Sequence, residues 1–326
     1  MIDADTKIDK LLQKNVTLAD KNWFASGGAA RWYVEPKNQE EFVQAIQAAI
    51  THQWPVHMLG LGANTLMSDA GFDGLVIRPV DKSISYIQDS KNTEQLLITA
   101  AAGLTVDELI ECAHAHNGIG LEDFACIPGT LGGAVFMNIH YFKSFFGDYI
   151  DAATVIDKRT GKLQKVAVEW FNFGYDTSRL HDGDYYLYDV TLRCQKVTDL
   201  EVSYQQGRVL EIIRHRRSRY PYQYTCGSFF RNFLPHELKN ATIEKPVPFI
   251  AYYLDLLGIK GQLRVNHAVV SYQHANMLVN EGGKSSSADI ILLARTMQQM
   301  VYDKFGLMPV SECCLVGFSE YPLLKV

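Results

Sequence analysis

Ile127-Pro128-Gly129-Thr130-Leu131-Gly132-Gly133-Ala134 places one proline and three glycines within eight residues. Proline fixes its own backbone dihedral while glycine frees several, so this stretch specifies an unusual loop. A bound ligand accounts for such a backbone better than a plain turn, the alternative. Asn138 follows closely, placed to cap a helix or to touch a ligand. Upstream, Leu59-Gly60-Leu61-Gly62-Ala63-Asn64-Thr65 has the same character after a strand-like run. Its glycines let main-chain amides close around a pyrophosphate. It lacks the third glycine of the dinucleotide fingerprint and the lysine of a P-loop, so by itself it is equally a turn.

Working outward, Asn38-Gln39-Glu40-Glu41 reads as a capping box, and Phe42, Ala45, Ile46, Ala49 and Ile50 then recur at helical spacing. Strand-like runs at 31–34, 56–59 and 75–77 surround it. The order repeats: a strand at 96–101, a second box at Thr105-Val106-Asp107-Glu108, apolar Leu109, Cys112 and Ala113, and Gly118 as the stop. Segments 152–156 and 163–168 flank Lys158-Arg159-Thr160-Gly161 as a hairpin. Tyr188, Val190 and Leu192 alternate with Asp189, Thr191 and Arg193 as a strand. From about Val202 a Tyr/Arg-rich helix begins, followed by a loop at 226–235. Two further helices carry Ile250, Tyr253, Leu254 and Leu257 before Gly258, and Ile290, Leu293, Ala294, Met297 and Val301 before Gly306. The fold class is α+β.

With 326 residues and roughly 150 per domain, two or three domains are expected. Hydrophobic residues at 47% and charged ones at 21% mark an ordinary globular chain. A net charge of −5, with no basic run, argues against nucleic acid and anionic membranes and leaves a small molecule as the partner. MIDADTKIDK at the start carries acidic groups and no apolar run, unlike a secretory signal. The apolar stretch 247–259 is well short of the roughly 20 residues that span a bilayer. Six cysteines without CxxC pairs or histidines at zinc spacing point to reduced thiols, a cytoplasmic location and no metal site.

Cys226-Gly227-Ser228-Phe229-Phe230-Arg231-Asn232 sets a small hydroxyl between glycine and two aromatics. That suits catalysis in a site without water, or equally a serine bonded to backbone. No Ser-His-Asp arrangement is visible.

In order and separation, SGGAA (26–30), LGLGANTLMSD (59–69), IPGTLGGAVFMN (127–138), FGYDTSR (173–179), GSFFRN (227–232), VSYQHANMLVN (270–280) and PVSECCLVG (309–317) together resemble the UDP-N-acetylenolpyruvoylglucosamine reductases. The resemblance implies a vanillyl-alcohol-oxidase-like (PCMH-type) module of two FAD-binding lobes, residues 1–80 and 81–195. It adds a C-terminal α+β substrate domain, 196–305, and a segment, 306–326, that returns to the active site. FAD would lie against Gly60, Leu61, Gly62, Ala63, Asn64 and Thr65, and against Pro128, Gly129, Thr130, Gly132, Gly133 and Ala134. NADPH would supply hydride through the flavin to UDP-N-acetylglucosamine enolpyruvate, giving UDP-N-acetylmuramate for peptidoglycan. Ser228 would protonate the enolate-like intermediate with help from Glu312, and Tyr175, Arg231 and Asn232 would contact substrate. Serine is a very weak acid, so Arg231 or another cation is expected beside it. Glu312 is expected to have a raised pKa in a dry site. The short connection from Cys194 to Gly227 matches the compact type, expected as a monomer.

Two departures from the family pattern stand out. The usual Tyr-Arg-x-Ser segment reads Tyr175-Asp176-Thr177-Ser178, which puts an anion where an arginine meets the substrate carboxylate. Arg179 is expected to reach in from a reshaped loop. The usual Asn-x-Gly-Ala-Tyr reads Asn138-Ile139-His140-Tyr141-Phe142, with His140 expected to pack rather than to bind. Arg214, Arg216, Arg217 and Arg219 suit either a helix C-terminus or a diphosphate, while His274 and Asn276 are scaffold or contact. An FAD-dependent oxidase on the same module is the runner-up, although residues 60–65 hold no histidine for a covalent flavin tether. A flavin-binding relative without reductase activity is the third reading.

Overall fold

The computed structural model describes Ile8 and residues 10–89, 92–221 and 223–325. The reading of the N-terminal residues as no secretory signal rests mostly on residues 1–7 and 9, outside the described ones. The chain forms two compact units. The first takes the chain to Lys14, Trp32–Gly60 and Gly74–Arg216; the second takes Asn15–Arg31, Leu61–Asp73 and the chain from Arg217. These units differ from the consecutive segments expected at 1–80, 81–195, 196–305 and 306–326. Residues 61–73, part of the early glycine motif, go with the C-terminal part. The helix Asp199–Arg219 stays through Arg216 with the first unit, because Ile212, Val209 and Ile213 pack on that unit's core.

In the first unit a sheet runs in the order Leu163–Ala167, Ile150–Asp157, Tyr185–Lys196, Gln95–Ala101, Ile84–Gln88. Each of these neighbours pairs antiparallel. The alternation read at 188–193 is real on one face: Val190 and Leu192 are fully buried with Ile98, Leu109, Phe124 and Leu131. The helix Val106–Ala115 carries the expected reciprocal box, with the Glu108 amide donating to Thr105 Oγ1 at 3.2 Å and the Thr105 amide to the Glu108 carboxylate at 2.9 Å. Its stop differs from expectation. Asn117, at φ 61°, takes the left-handed turn, while Gly118 opens a short strand where a Cβ would lie 2.8 Å from Leu96. The helix Gln39–His52 buries Phe42, Ala45, Ile46 and Ala49, and Asn38 Oδ1 accepts the Glu41 amide at 2.9 Å. Its box is open by one residue, since the Glu41 carboxylate accepts from Lys37 at 2.8 Å instead of from Asn38.

The second unit buries Phe229, Phe230, Tyr253, Leu254, Ile290, Leu293, Ala294, Met297 and Val301 as one core. Its helices Ile250–Leu256 and Ser287–Phe305 are followed by Gly258 and Gly306 at φ 67° and 68°, the glycine stops read from the sequence. The Asp69 carboxylate accepts the Ser287 and Ala288 amides at 2.9 Å each, opposite the positive end of the long helix. A three-stranded sheet joins Arg264–Val265, Ala268–Val270 and Leu278–Asn280. Among the described residues no helix is long and apolar enough to cross a membrane. All six cysteines are free thiols.

Asn280 is fully buried and fastens three strands of chain at once: its Nδ2 donates to Phe24 O at 2.7 Å and Ser285 O at 3.2 Å, and its Oδ1 accepts from Ser285 N at 2.7 Å. Asn280→Ala leaves buried main-chain groups unsatisfied, and urea unfolding should show a loss of about 2–4 kcal/mol; a loss below about 0.5 kcal/mol would mean that water replaces these bonds freely.

Candidate functional site

The glycine loop at 127–134 folds into a turn that enters the seven-residue helix Leu131–Met137. Thr130, buried, caps it through the Gly133 amide at 3.5 Å. The Leu131 and Gly132 amides are held by Leu104 O and Ala102 O at 2.8 and 2.9 Å. This loop therefore presents surface more than free amides. A Cβ placed on Gly129 would meet nothing within 4 Å, and one on Gly133 only Thr130 Oγ1 at 3.9 Å. Glycine is here for the space it leaves. Gly60 is different, since a Cβ there would sit 2.6 Å from the capping hydroxyl of Thr130.

The other glycine loop supplies the amides. Among the described residues Leu61, Gly62, Ala63 and Asn64 donate no main-chain hydrogen bond, although the carbonyls of Gly62 and Asn64 accept from Trp23 and Cys314 at 3.1 and 3.0 Å. Gly62, at φ +65°, lies so close to Asn22 Cα that a Cβ would approach within 2.6 Å. Asn22 is buried, its Nδ2 donating to Leu18 O and Ser26 O at 2.7 and 2.8 Å. A fixed row of uncommitted N–H groups is an anion receptor. Each feature by itself suits a nucleotide cofactor, the amides its phosphates and the open glycine surface a flat group.

In the second unit Ser228 lies half-buried on a strand-like segment, opposite Met277 on one side of the chain, while Phe230 bridges to Ser311. Phe229 O accepts the Glu312 amide at 2.9 Å and the Cys313 amide at 3.3 Å. Asn276 closes the other side: its Oδ1 accepts the Phe230 amide at 3.1 Å and its Nδ2 donates to Phe230 O at 2.7 Å. Asn276 is thus scaffold. Asn64 Nδ2 donates to Glu312 O at 3.2 Å, tying the amide-bearing loop to the candidate acid. Immediately beyond, Cys314–Val316 pairs in parallel with Thr65–Met67. Burial pushes the neighbouring Cys313 thiol well up and Cys314 to about 11, so both are packing groups rather than thiolates.

Three expected roles change. The guanidinium expected beside Ser228 is paired elsewhere: Arg231 donates twice to the Glu237 carboxylate, at 2.8 and 2.7 Å, and holds that carboxyl below its usual range. Asn232 Oδ1 accepts the Ile250 amide at 3.3 Å, at the start of a helix. Arg179 does not reach in. It is exposed, with its guanidinium 5.0 Å from the centre of the Trp170 ring, where cation–π attraction keeps it. Arg216 likewise packs 4.1 Å over Tyr141 and donates to Asp123 O, and Arg214 pairs with Glu211 at the surface.

Sequence reasoning missed how the two departures meet. Asn138, at φ 46°, ends the glycine-loop helix, donates to Gly174 O at 2.9 Å and accepts from Gly147 N at 2.8 Å. Ser178 Oγ donates to Phe136 O at 2.8 Å. The 174–178 turn is therefore fastened to that helix, and Asp176 Oδ1 comes 3.2 Å from His140 Nδ1. Tyr175 lies against the same imidazole, with ring centres 4.7 Å apart.

Comparison with known proteins agrees with this geometry. Residues 30–167 match the FAD binding domain family, and residues 219–316 match the UDP-N-acetylenolpyruvoylglucosamine reductase C-terminal domain. The chain is 32% identical to UDP-N-acetylenolpyruvoylglucosamine reductase of Synechococcus sp. (strain JA-3-3Ab), over 96% of this chain and 94% of that one. It is 30% identical to the enzyme of that name from Prochlorococcus marinus (strain NATL2A), over 94% and 98%. The solved UDP-N-acetylenolpyruvylglucosamine reductase of Thermus caldophilus superposes with a TM-score of 0.73 at 26% identity, covering 94% of this chain and all of that one. The fold is α+β, with the vanillyl-alcohol-oxidase type of FAD module read from the motifs.

Because the space beside Gly129 is open, Gly129→Ala should leave the urea midpoint of the apoprotein near wild type. Crowding a well-fitted ligand by one methyl costs about 1–3 kcal/mol, so FAD affinity, followed by flavin fluorescence, should drop by about one to two orders of magnitude. Unchanged affinity would separate this loop from the cofactor.

Proposed function

The chain belongs to the UDP-N-acetylenolpyruvoylglucosamine reductase family, and from that membership we propose that NADPH is its reductant and that Ser228 and Glu312 are its catalytic residues. It is an FAD-dependent oxidoreductase that reduces the enolpyruvyl group of UDP-N-acetylglucosamine enolpyruvate in peptidoglycan synthesis. The proposal extends to a cytoplasmic enzyme acting as a monomer.

When bound, FAD supplies a two-electron relay that takes hydride from the nicotinamide and delivers it to the terminal carbon of the enolpyruvyl group. The uncommitted amides at 61–64 would hold the negative charge of its pyrophosphate. What remains for the protein is to place the substrate, exclude water and deliver one proton.

Ser228 is the proton donor in this reading. Its hydroxyl makes no hydrogen bond among the described residues, so it is not held by backbone in the way that a purely structural serine is. Fully buried Phe229 and Phe230 beside it limit water. Glu312 is carried into register with Ser228 by the bonds to Phe229 O. That shared register is the observation which carries the assignment. Arg231 is paired with Glu237.

The test is to record the flavin spectrum of purified protein and follow NADPH loss with and without UDP-N-acetylglucosamine enolpyruvate. NADPH loss that depends on the enol ether supports the reading, and oxygen uptake without that dependence points to an oxidase. In Ser228→Ala, flavin reduction by NADPH should persist while turnover falls by about 10²–10⁴-fold, the span typical of a lost general acid. Turnover within threefold of wild type would remove Ser228 from the mechanism.

A further inference from the structure

The helix Gln39–His52 packs with Ile156, Tyr186 and Tyr188 of the first unit's sheet. Gln53, at φ 53°, turns the chain out of the helix, and there helix and sheet leave a groove of about 600 Å³. That lies within the roughly 300–1,000 Å³ of small-molecule sites, and every residue lining it belongs to the first unit. Ile46, Ile50, Trp54 and Val56 supply an apolar wall. Trp54 is already stacked on Trp32 and on His52, with ring centres 4.8 and 4.5 Å apart. An aliphatic chain therefore suits this wall better than another ring.

Strand pairing sets the polar end of the groove. Ile156 stands opposite Tyr186, and the ladder continues with the Lys158 amide donating to Asp184 O at 2.9 Å. Opposed residues share a face and the next pair on it lies about 7 Å along the strand, so Tyr186, Asp184 and Lys158 stand on one face. The Tyr186 hydroxyl makes no hydrogen bond among the described residues, and burial pushes its pKa up to about 12. Its acceptor has to come from water or from a ligand. Lys158 and Arg159 are exposed and form no ion pair among the described residues. Asp157 beside them is engaged by the turn, its carboxylate accepting the Arg159 and Thr160 amides at 2.8 and 2.9 Å. Asp184 is the acid among the lining residues. Two cations thus face one anion, and the complement of that balance is a monoanion.

We propose that this groove binds a free aliphatic carboxylate of medium chain length. Its chain lies along Ile46, Ile50 and Val56, and its carboxylate meets Lys158, Arg159 and the Tyr186 hydroxyl. The site shares no residue with the two glycine loops and stands independently of the reductase reading.

Calorimetric titration of the full-length, FAD-loaded protein with sodium octanoate should show one saturable site. Octanol, which keeps the chain and lacks the charge, should bind at least about threefold more weakly, and octanoate affinity should fall as salt rises. The double variant Lys158→Ala/Arg159→Ala should bind octanoate no better than octanol. Tyr186→Phe, which keeps the ring, should weaken octanoate by about threefold. Ile50→Glu, at a position 37% exposed, sets an anion in the groove and should abolish octanoate binding. The double alanine variant changes exposed side chains only, so the test survives if Ile50→Glu fails to fold. Three results would each overturn the proposal: no saturable site for millimolar octanoate, equal affinity for octanol, or octanoate binding indifferent to Lys158→Ala/Arg159→Ala and Tyr186→Phe. An inactive enzyme that binds octanoate ends the reductase reading and leaves this site, whereas an active one that does not bind it ends this proposal alone.

Discussion

The carbonyl oxygen of Phe229 holds the candidate chemistry in place. By accepting the amides of Glu312 and Cys313 it sets the segment at 226–232 against the one at 309–314. Asn276 fixes the opposite side of Phe230 through both ends of its amide. A buried main-chain group left without a partner costs as much as a lost hydrogen bond, so this register cannot slip without exposing several such costs together. Ser228 and Glu312 inherit their relation from it, as does the loop at 61–65 through Asn64 and the parallel pairing of Thr65–Met67 with Cys314–Val316.

The first unit solves a different problem. Its glycine-loop helix is short and could not stand alone. It is held at its start by Leu104 O, Ala102 O and the Thr130 cap, and at its end by left-handed Asn138. Asn138 then serves a second purpose, since its side chain ties down both Gly147 and Gly174. One polar residue in the left-handed region thereby fastens the turn Tyr175 to Ser178 to the end of that helix. The 3.2 Å approach of His140 to Asp176 is a consequence of that tie.

The local elements were legible because their causes are local. The box at Thr105 and Glu108, the glycine stops at Gly258 and Gly306, and the alternation around Val190 each depend on residues a few positions apart. The errors came where a neighbour in space, not in sequence, decides. Gly118 looks like a helix stop, yet it is needed for the closeness of Leu96, and Asn117 makes the turn. Arg231 looks like a partner for Ser228, yet Glu237 claims its guanidinium. Arg179 looks poised to replace a missing cation, yet the Trp170 ring holds it at the surface.

The sequence by itself determined the family, the cofactor class and the motifs that carry them, because ordered glycine, serine and glutamate patterns report constraints on backbone shape and chemistry that few folds share. It also exposed the two departures, at His140 and Asp176. Tertiary structure alone decided that these two face each other, that the units are discontinuous in sequence, and which amides remain uncommitted. The physical reason is that hydrogen-bond partnership and burial are set by approach in space, and no spacing along a chain states which side chain will arrive first at a given donor or acceptor.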